Sequence, residues 1–343
     1  MTEFRPQSSR KAPAVASRRD QQRIIVTGGA GFLGSQLCRA LIEQGHRVIA
    51  IDNLLSGRLE NLSDLLGCPR FDFILHDIIE PLPIQTPIDQ IYNLACPASP
   101  PVYQRDPLHT FKSSVLGGMN MLEIARSKRA RILQASTSEI YGDPKISPQP
   151  ESYCGNVNTC GPRACYDEGK RAAETLFHDY NDRFGVETRI ARIFNTYGPG
   201  MSPEDGRVVS NLIVQALSGV AMTVNGDGTQ TRSFCYRDDM IDGLIRLMNA
   251  PLQRFQAVNL GNPAEVTILE LSELVRSKTG TTNPVSYRDL PQHDPLQRRP
   301  DISVAKRLLG WAPTVPLERG LDRTIRYFRD QLSQNATARA MAL

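Results

Sequence analysis

The sequence predicts an α/β fold, a doubly wound parallel sheet followed by a smaller C-terminal lobe. Three observations carry that expectation. Apolar, β-branched runs alternate with helix-periodic segments, as they do when strands are buried on both faces by crossover helices. The first such run ends directly in a glycine-rich turn. The second ends in an aspartate.

The elements follow in order. Residues 23–28 (RIIVTG) read as a buried strand, 31–44 as a helix stopped by Gly45, and 47–52 (RVIAID) as a second strand. Further strands are expected at 71–76, 89–95, 130–135 and 186–193, with helices over 110–127 and 164–184. After Asn195 the chain turns Gly- and Pro-rich, and shorter elements follow. These are helices at 208–217, 238–248, 269–277 and 317–329, with strands at 222–224 and 257–260. The first domain is expected over 23–195, with part of 233–262 returning to it. The lobe spans 196–335, and 1–22 and 336–343 read as tails.

Gly28, Gly31 and Gly34 have the GxxGxxG spacing of a Rossmann dinucleotide site. Gly28 permits the turn out of the strand, Gly31 lets backbone approach a pyrophosphate, and Gly34 lets the helix pack on the sheet. The amides that open the helix, at Phe32 and Leu33, suit an anion. Asp52 stands where a carboxylate accepts hydrogen bonds from the adenine-side ribose and repels a 2′-phosphate, which favours NAD over NADP. Arg58 nearby is the counter-signal.

Composition excludes several classes. The formal net charge of +4 comes largely from Arg5, Arg10, Lys11, Arg18, Arg19 and Arg23, so the remainder is near neutral and gives no basic surface for nucleic acid. No apolar run is long enough to span a membrane. Seven cysteines, none in CxxC spacing, read as reduced thiols of a cytoplasmic protein with no zinc or other metal site.

Tyr166 and Lys170 form a Tyr-x-x-x-Lys pair on one face of a helix. A lysine ammonium and a positive nicotinamide lower a tyrosine pKa, so the phenolate can take a hydroxyl proton as hydride leaves. Ser136, Thr137, Ser138 and Glu139 follow the fifth strand, at the end that borders the ligand crevice. Thr137 or Ser138 suits the reacting oxygen. Glu139 suggests a second step beyond alcohol oxidation.

These residues resemble the extended short-chain dehydrogenase/reductase family, and more narrowly its UDP-glucuronate decarboxylase (UDP-xylose synthase) group. The resemblance covers roughly 23–329 and rests on 24–32, 94–101 (LACPASPP), 135–144 (ASTSEIYGDP), 161–171 (GPRACYDEGKR), 191–199 (ARIFNTYGP), 205–211 (DGRVVSN) and 298–301 (RRPD). It implies NAD-dependent oxidation of UDP-glucuronic acid at C4, loss of CO2, protonation at C5 and re-reduction to UDP-xylose. It assigns Tyr166 as base and acid, tuned by Lys170 and assisted by Thr137 or Ser138. Glu139 serves decarboxylation and reprotonation, and Arg298 contacts the substrate carboxylate or places a proton-donating water. Asn53, Asp77, Ile78 and Leu94 join the NAD site; Tyr103, Lys112, Asn195, Arg207, Arg232 and Tyr236 join the substrate site. A homodimer is implied as well. Cys154 and Thr159-Cys160 depart from the family pattern, away from this chemistry. Rival readings are a nucleotide-sugar 4-epimerase, a 4,6-dehydratase, which pairs Asp with Glu where this chain has Ser138 and Glu139, and a non-catalytic nucleotide sensor, which would not need both Tyr166 and Lys170.

Overall fold

The computed structural model describes residues 21–252, 255–290 and 297–341; most of the expected N-terminal tail lies outside them. β1 (Arg23–Thr27) leads through the glycine turn to α1 (Phe32–Glu43), then β2 (Arg47–Asp52), β3 (Phe71–Leu75) and β4 (Gln90–Asn93). α2 (Pro100–Tyr103), α3 (Pro107–Lys112) and α4 (Gly118–Lys128) make the next crossover. β5 (Arg131–Thr137), α5 (Ala164–Phe184) and β6 (Thr188–Ile193) follow. Where the sequence suggested one helix over 110–127, the structure has α3 and α4 joined by a π-helical turn, Ser113–Gly117. Gly117 there lies so close to Ile78 that a Cβ would come within 2.5 Å of its side chain.

Among the described residues, seven parallel strands form one sheet, in the order Ala257–Leu260, β6, β5, β4, β1, β2, β3. The order reverses between β1 and β4, so the crevice opens at their carboxyl ends. β5 runs two residues further than expected. Ser136 pairs with Arg192 and Thr137 with Ile193, so both stand on the sheet itself. On one face α1 packs through Leu37 and Cys38 beside Leu244 and Leu247 of helix Arg237–Asn249, with Trp311 completing the cluster. On the other face Met121 and Leu122 of α4 and Phe177 of α5 cover Ile91 and Ile132. The later chain thus supplies both a strand and a covering helix to the sheet.

A separate core is built from helices Val208–Leu217, Ile268–Thr279 and Leu317–Met341 around Tyr197, Leu212, Leu271 and Phe328. Short strand pairs edge it, Met222–Asn225 with Val285–Arg288 and Thr231–Ser233 with Glu265–Thr267. Helix Leu317–Met341 continues past the expected end at 329, because 330–341 contains neither Gly nor Pro to stop it.

A polar chain crosses the apolar sheet just below the crevice. Thr27 Oγ1 donates to Asn93 Oδ1 at 2.7 Å, and Asn93 Nδ2 donates to Gln134 Oε1 at 2.7 Å. Thr27 Oγ1 also accepts from the amides of Leu94 and Ala95, each at 3.1 Å. These bonds tie β1, β4 and β5 together where the site begins. Thr27→Val keeps the volume and leaves Asn93 short of a partner, so we expect a loss of about 1–3 kcal/mol in denaturant titrations, with the fold retained.

Candidate active site

The carboxyl edge of the sheet opens into a cleft of about 800 Å³ that runs into the C-terminal lobe. At one end lies the glycine turn. Gly28 has φ +67°, and a Cβ there would sit 3.0 Å from the Ala95 amide. A Cβ on Gly34 would fall 2.0 Å from the Gly28 carbonyl. The turn therefore has to be bare. Gly31 is extended, and no side chain caps α1, so the first amides of the helix remain for an anion. Phe32 and Leu33 line the cleft here.

Asp52 is buried at the end of β2 and lines the same end. Its carboxylate accepts from the amides of Ala30 at 3.0 Å and Leu54 at 2.8 Å, so it braces the glycine turn. Burial pushes its pKa up against those bonds. Asn53 Nδ2 donates to Asp77 Oδ2 at 2.9 Å, and His109 Nε2 lies 2.7 Å from the same oxygen. Burial pushes Asp77 up, but the bonds from His109, the Ile79 amide and Asn53 outweigh it and hold the carboxyl below its usual value. Ile78 and Leu94 complete this wall.

Further along the cleft Tyr166 and Lys170 are buried on α5. The Tyr166 ring stacks on Tyr103, with centroids 5.1 Å apart and planes 5° from parallel. Its hydroxyl is hydrogen-bonded to Thr137. Lys170 Nζ donates to the Ala135 carbonyl at 2.8 Å and lies 5.7 Å from the Tyr166 ring centroid. Burial dominates and pushes the phenol above its ordinary pKa, with Cys96 adding to it. Burial therefore governs the phenol in the protein alone, and the expected lowering drew on a positive nicotinamide as well as on Lys170.

Glu139 sits in the 3-10 turn Ser138–Tyr141 that continues β5. Arg298 grips it with both ends of its fork, Nη1 to Oε1 at 2.8 Å and Nη2 to Oε2 at 2.9 Å. Arg163 Nη2 also donates to Oε2. Burial pushes Glu139 up, and the fields of Arg298, Arg163 and Arg232 overcome it, so the carboxyl stays ionised. Arg298 reaches on to Asn195 Oδ1 at 3.3 Å. Arg207 pairs with both oxygens of Asp205, at 2.5 and 2.7 Å. The buried Tyr103 hydroxyl faces no hydrogen-bond partner among the described residues.

The cleft brings together Gly28, Gly31, Phe32, Leu33, Gly34, Asp52, Asn53, Asp77, Ile78, Leu94, Tyr103, Thr137, Ser138, Glu139, Tyr166, Lys170, Asn195, Arg207, Arg232 and Arg298. Two expected substrate residues lie elsewhere. Lys112 is exposed at the end of α3, because Thr110 and Ser113 take the buried side. Tyr236 is packed in the lobe core, its ring 5.7 Å from that of Tyr197. Sequence reasoning missed Arg163, although it stands in the quoted stretch before Tyr166, and it missed Asp167 beside it. Asp167 is buried, and its Oδ1 has no hydrogen-bond partner among the described residues. Burial and the nearby Glu139 push its carboxyl up to about 7, against Arg163 and Arg298.

The model of the NAD dependent epimerase/dehydratase family matches residues 24–261. UDP-glucuronic acid decarboxylase 1 of Danio rerio is 52% identical over 320 residues, 93% of this chain and 76% of the relative. UDP-glucuronic acid decarboxylase 3 of Arabidopsis thaliana is 53% identical over 312 residues, 91% and 90% of the two chains. The chain belongs to the NAD-dependent epimerase/dehydratase family, among its UDP-glucuronic acid decarboxylases. Solved members share the fold. UDP-glucuronic acid 4-epimerase from Bacillus cereus, in complex with UDP-glucuronic acid and NAD, superposes with a TM-score of 0.79 at 29% identity, covering 90% of this chain and 99% of that one. UDP-glucose 4-epimerase from Thermotoga maritima, with UDP-glucose, gives 0.82 at 28% identity, with 90% and 99% covered. The family thus carries more than one reaction on this scaffold, and the choice rests on the substrate end.

Two of the buried carboxyls, Glu139 and Asp167, have opposite pH signatures. Glu139 is held down, so its pairing stabilises the fold above the unfolded carboxyl pKa and is lost in acid. Asp167 is held up, so the folded state keeps a proton that the unfolded chain releases, and stability falls as pH rises from about 4 to about 7. We expect Asp167→Asn to lose less stability than the parent between about pH 4 and about pH 7, measured by urea titration.

Proposed function

We propose that this protein decarboxylates UDP-glucuronic acid to UDP-xylose through a UDP-4-keto intermediate, with Tyr166, Thr137, Lys170, Glu139 and Arg298 acting in the roles below. The observation that carries this reading is the clamped Glu139–Arg298 pair, which lies in the same cleft as the Tyr166–Lys170 pair. A 4-epimerisation needs only oxidation and re-reduction at C4, and leaves that pair without a task.

The residues present fit NAD. The bare turn at Gly28 and Gly34 and the uncapped start of α1 suit a diphosphate, and Asp52 suits the ribose while repelling a 2′-phosphate. When bound, NAD supplies the hydride acceptor for C4 oxidation and the donor for the final reduction. Tyr166 takes the proton of the C4 hydroxyl, and Thr137 holds both the phenol and that oxygen. The phenol needs positive charge facing it to ionise, because burial alone keeps it protonated. Lys170, fixed on the Ala135 carbonyl, keeps one such charge near the ring.

The arginines at the substrate end do the binding. Arg298, Arg163 and Arg232 outnumber Glu139 in charge and draw a substrate that carries a diphosphate and a carboxylate. Arg207 and Asn195 suit the UDP portion. The 4-keto product is a β-keto acid, so CO2 departs as its bonding pair moves toward the ketone. Glu139, ionised and close by, disfavours a carboxylate and favours its loss as neutral CO2. Tyr166 then returns its proton to the C4 oxygen.

Two features support finer points. Leu108, Phe111, Leu116 and Met119 are exposed on α3, α4 and the turn between them, which suits a homodimer formed through these helices. Unpaired cysteines suit a reducing, cytoplasmic setting. Among the described residues no helix is long and apolar enough to cross a membrane.

Incubation with UDP-glucuronic acid should release CO2 and yield UDP-xylose with no net NADH, read by NMR and mass spectrometry. Recovery of UDP-galacturonic acid alone would mean an epimerase. Tyr166→Phe should lower kcat by about 10²–10⁴-fold with NAD affinity retained, measured by steady-state kinetics and calorimetry. Near-parental turnover would remove Tyr166 from its role.

A further inference from the structure

Decarboxylation of a carboxylate consumes a proton: R–COO⁻ and H⁺ give R–H and CO2. Tyr166 cannot supply it, because the proton it takes from the C4 hydroxyl goes back to the C4 oxygen. Glu139 is a poor source while Arg298 and Arg163 keep it ionised. One proton per turnover must therefore enter from outside and stop close to C5.

Behind Glu139 lies a second cavity, of about 270 Å³. Its walls include Glu139, Arg163, Asp167, Asn156, Asn158 and Asp143. Glu139 and Arg163 also line the main cleft, so they form the partition between the two spaces. Asp167 lines only the smaller one. It is 7% exposed, and its Oδ1 has no hydrogen-bond partner among the described residues. A polar space of that size holds water, and a buried carboxyl oxygen without a protein partner is where such water binds.

We propose that Asp167 holds the proton consumed by decarboxylation, receiving it from solvent through the side cavity and passing it by water, past Glu139, to C5 of the sugar. This rests on the decarboxylase reading above. The step balances. The bond from C5 to the carboxyl carbon breaks, CO2 leaves, and the pair forms the enolate. C5 then gains a C–H bond with the relayed proton, and the Asp167 carboxylate regains a proton from solvent. Asp167 acts through water and is a positioning residue in the relay.

The charges that face Asp167 suit the task. Glu139, Glu168 and Asp143 stand on the acidic side, Arg163 and Arg298 on the basic side, and the Tyr103 hydroxyl and Cys165 thiol are neutral neighbours. Burial and Glu139 hold the carboxyl near 7, so it both keeps and releases a proton around neutrality.

The test is a single turnover of UDP-glucuronic acid with NAD-loaded protein, followed by the absorbance of the reduced nicotinamide. An enolate cannot be re-reduced until C5 is protonated. In Asp167→Asn the absorbance should rise at the parental rate and decay about tenfold or more slower, and the decay should lose its pH dependence near neutrality. Asp167→Glu should recover part of the decay rate. Ala164→Leu, which narrows the side cavity from outside the main cleft, should also slow the decay selectively. Parental decay in both Asp167→Asn and Ala164→Leu would overturn the relay, as would equal slowing of rise and decay. If the parent itself releases no CO2, the decarboxylase reading fails first.

Discussion

A carboxylate buried just past the end of β5 and clamped by guanidinium groups sets the terms for the rest of the site. Glu139 would be costly to bury alone. Arg298 and Arg163 make its burial tolerable, and they come from segments far apart in the sequence. Arg298 arrives from the segment between strand Val285–Arg288 and helix Leu317–Met341, and Arg163 from the lead into α5. Holding them together requires that the lobe close over the sheet and that β5 extend to Thr137. The substrate end of the gap is then lined by guanidinium groups. Breaking either arginine contact leaves a buried charge less compensated, so the clamp is a structural requirement as well as a chemical one.

The cleft divides into two electrostatic regions. At the cofactor end the backbone dominates, with a bare turn, free helix amides and the Asp52 carboxylate held by hydrogen bonds from two backbone amides. At the substrate end side chains dominate, with a guanidinium cluster around one carboxylate. Tyr166 lies between them, stacked on Tyr103 and bonded to Thr137. Backbone features suit a cofactor common to the family. Side-chain features suit the substrate and the reaction that set its members apart.

Much of this was legible in the sequence because it is local. Gly28, Gly31, Gly34 and Asp52 belong to one strand–turn–helix–strand unit, and Tyr166 and Lys170 share one helix face. Such relations are fixed by spacing. Arg298 was reached only through the family resemblance, since nothing local ties it to Glu139. Arg163 and Asp167 lie within 161–171, but their significance depends on what lies across a cavity and is not local. Lys112 and Tyr236 show the converse. A matched segment does not say which way a side chain faces, and these two face solvent and the lobe core. The break in the helix over 110–127 was hidden too, since the packing of Gly117 on Ile78 is a tertiary contact.

The central claim is spatial: phenol, ammonium and clamped carboxylate converge on one sugar ring. A crystal structure of the Tyr166→Phe protein with NAD and UDP-glucuronic acid tests it most directly. The account places the C4 hydroxyl against Thr137 and the ring of residue 166, with the sugar carboxylate among Glu139, Arg163 and Arg298. A sugar turned so that its carboxylate points away from those residues, or bound outside the reach of Thr137, would contradict it.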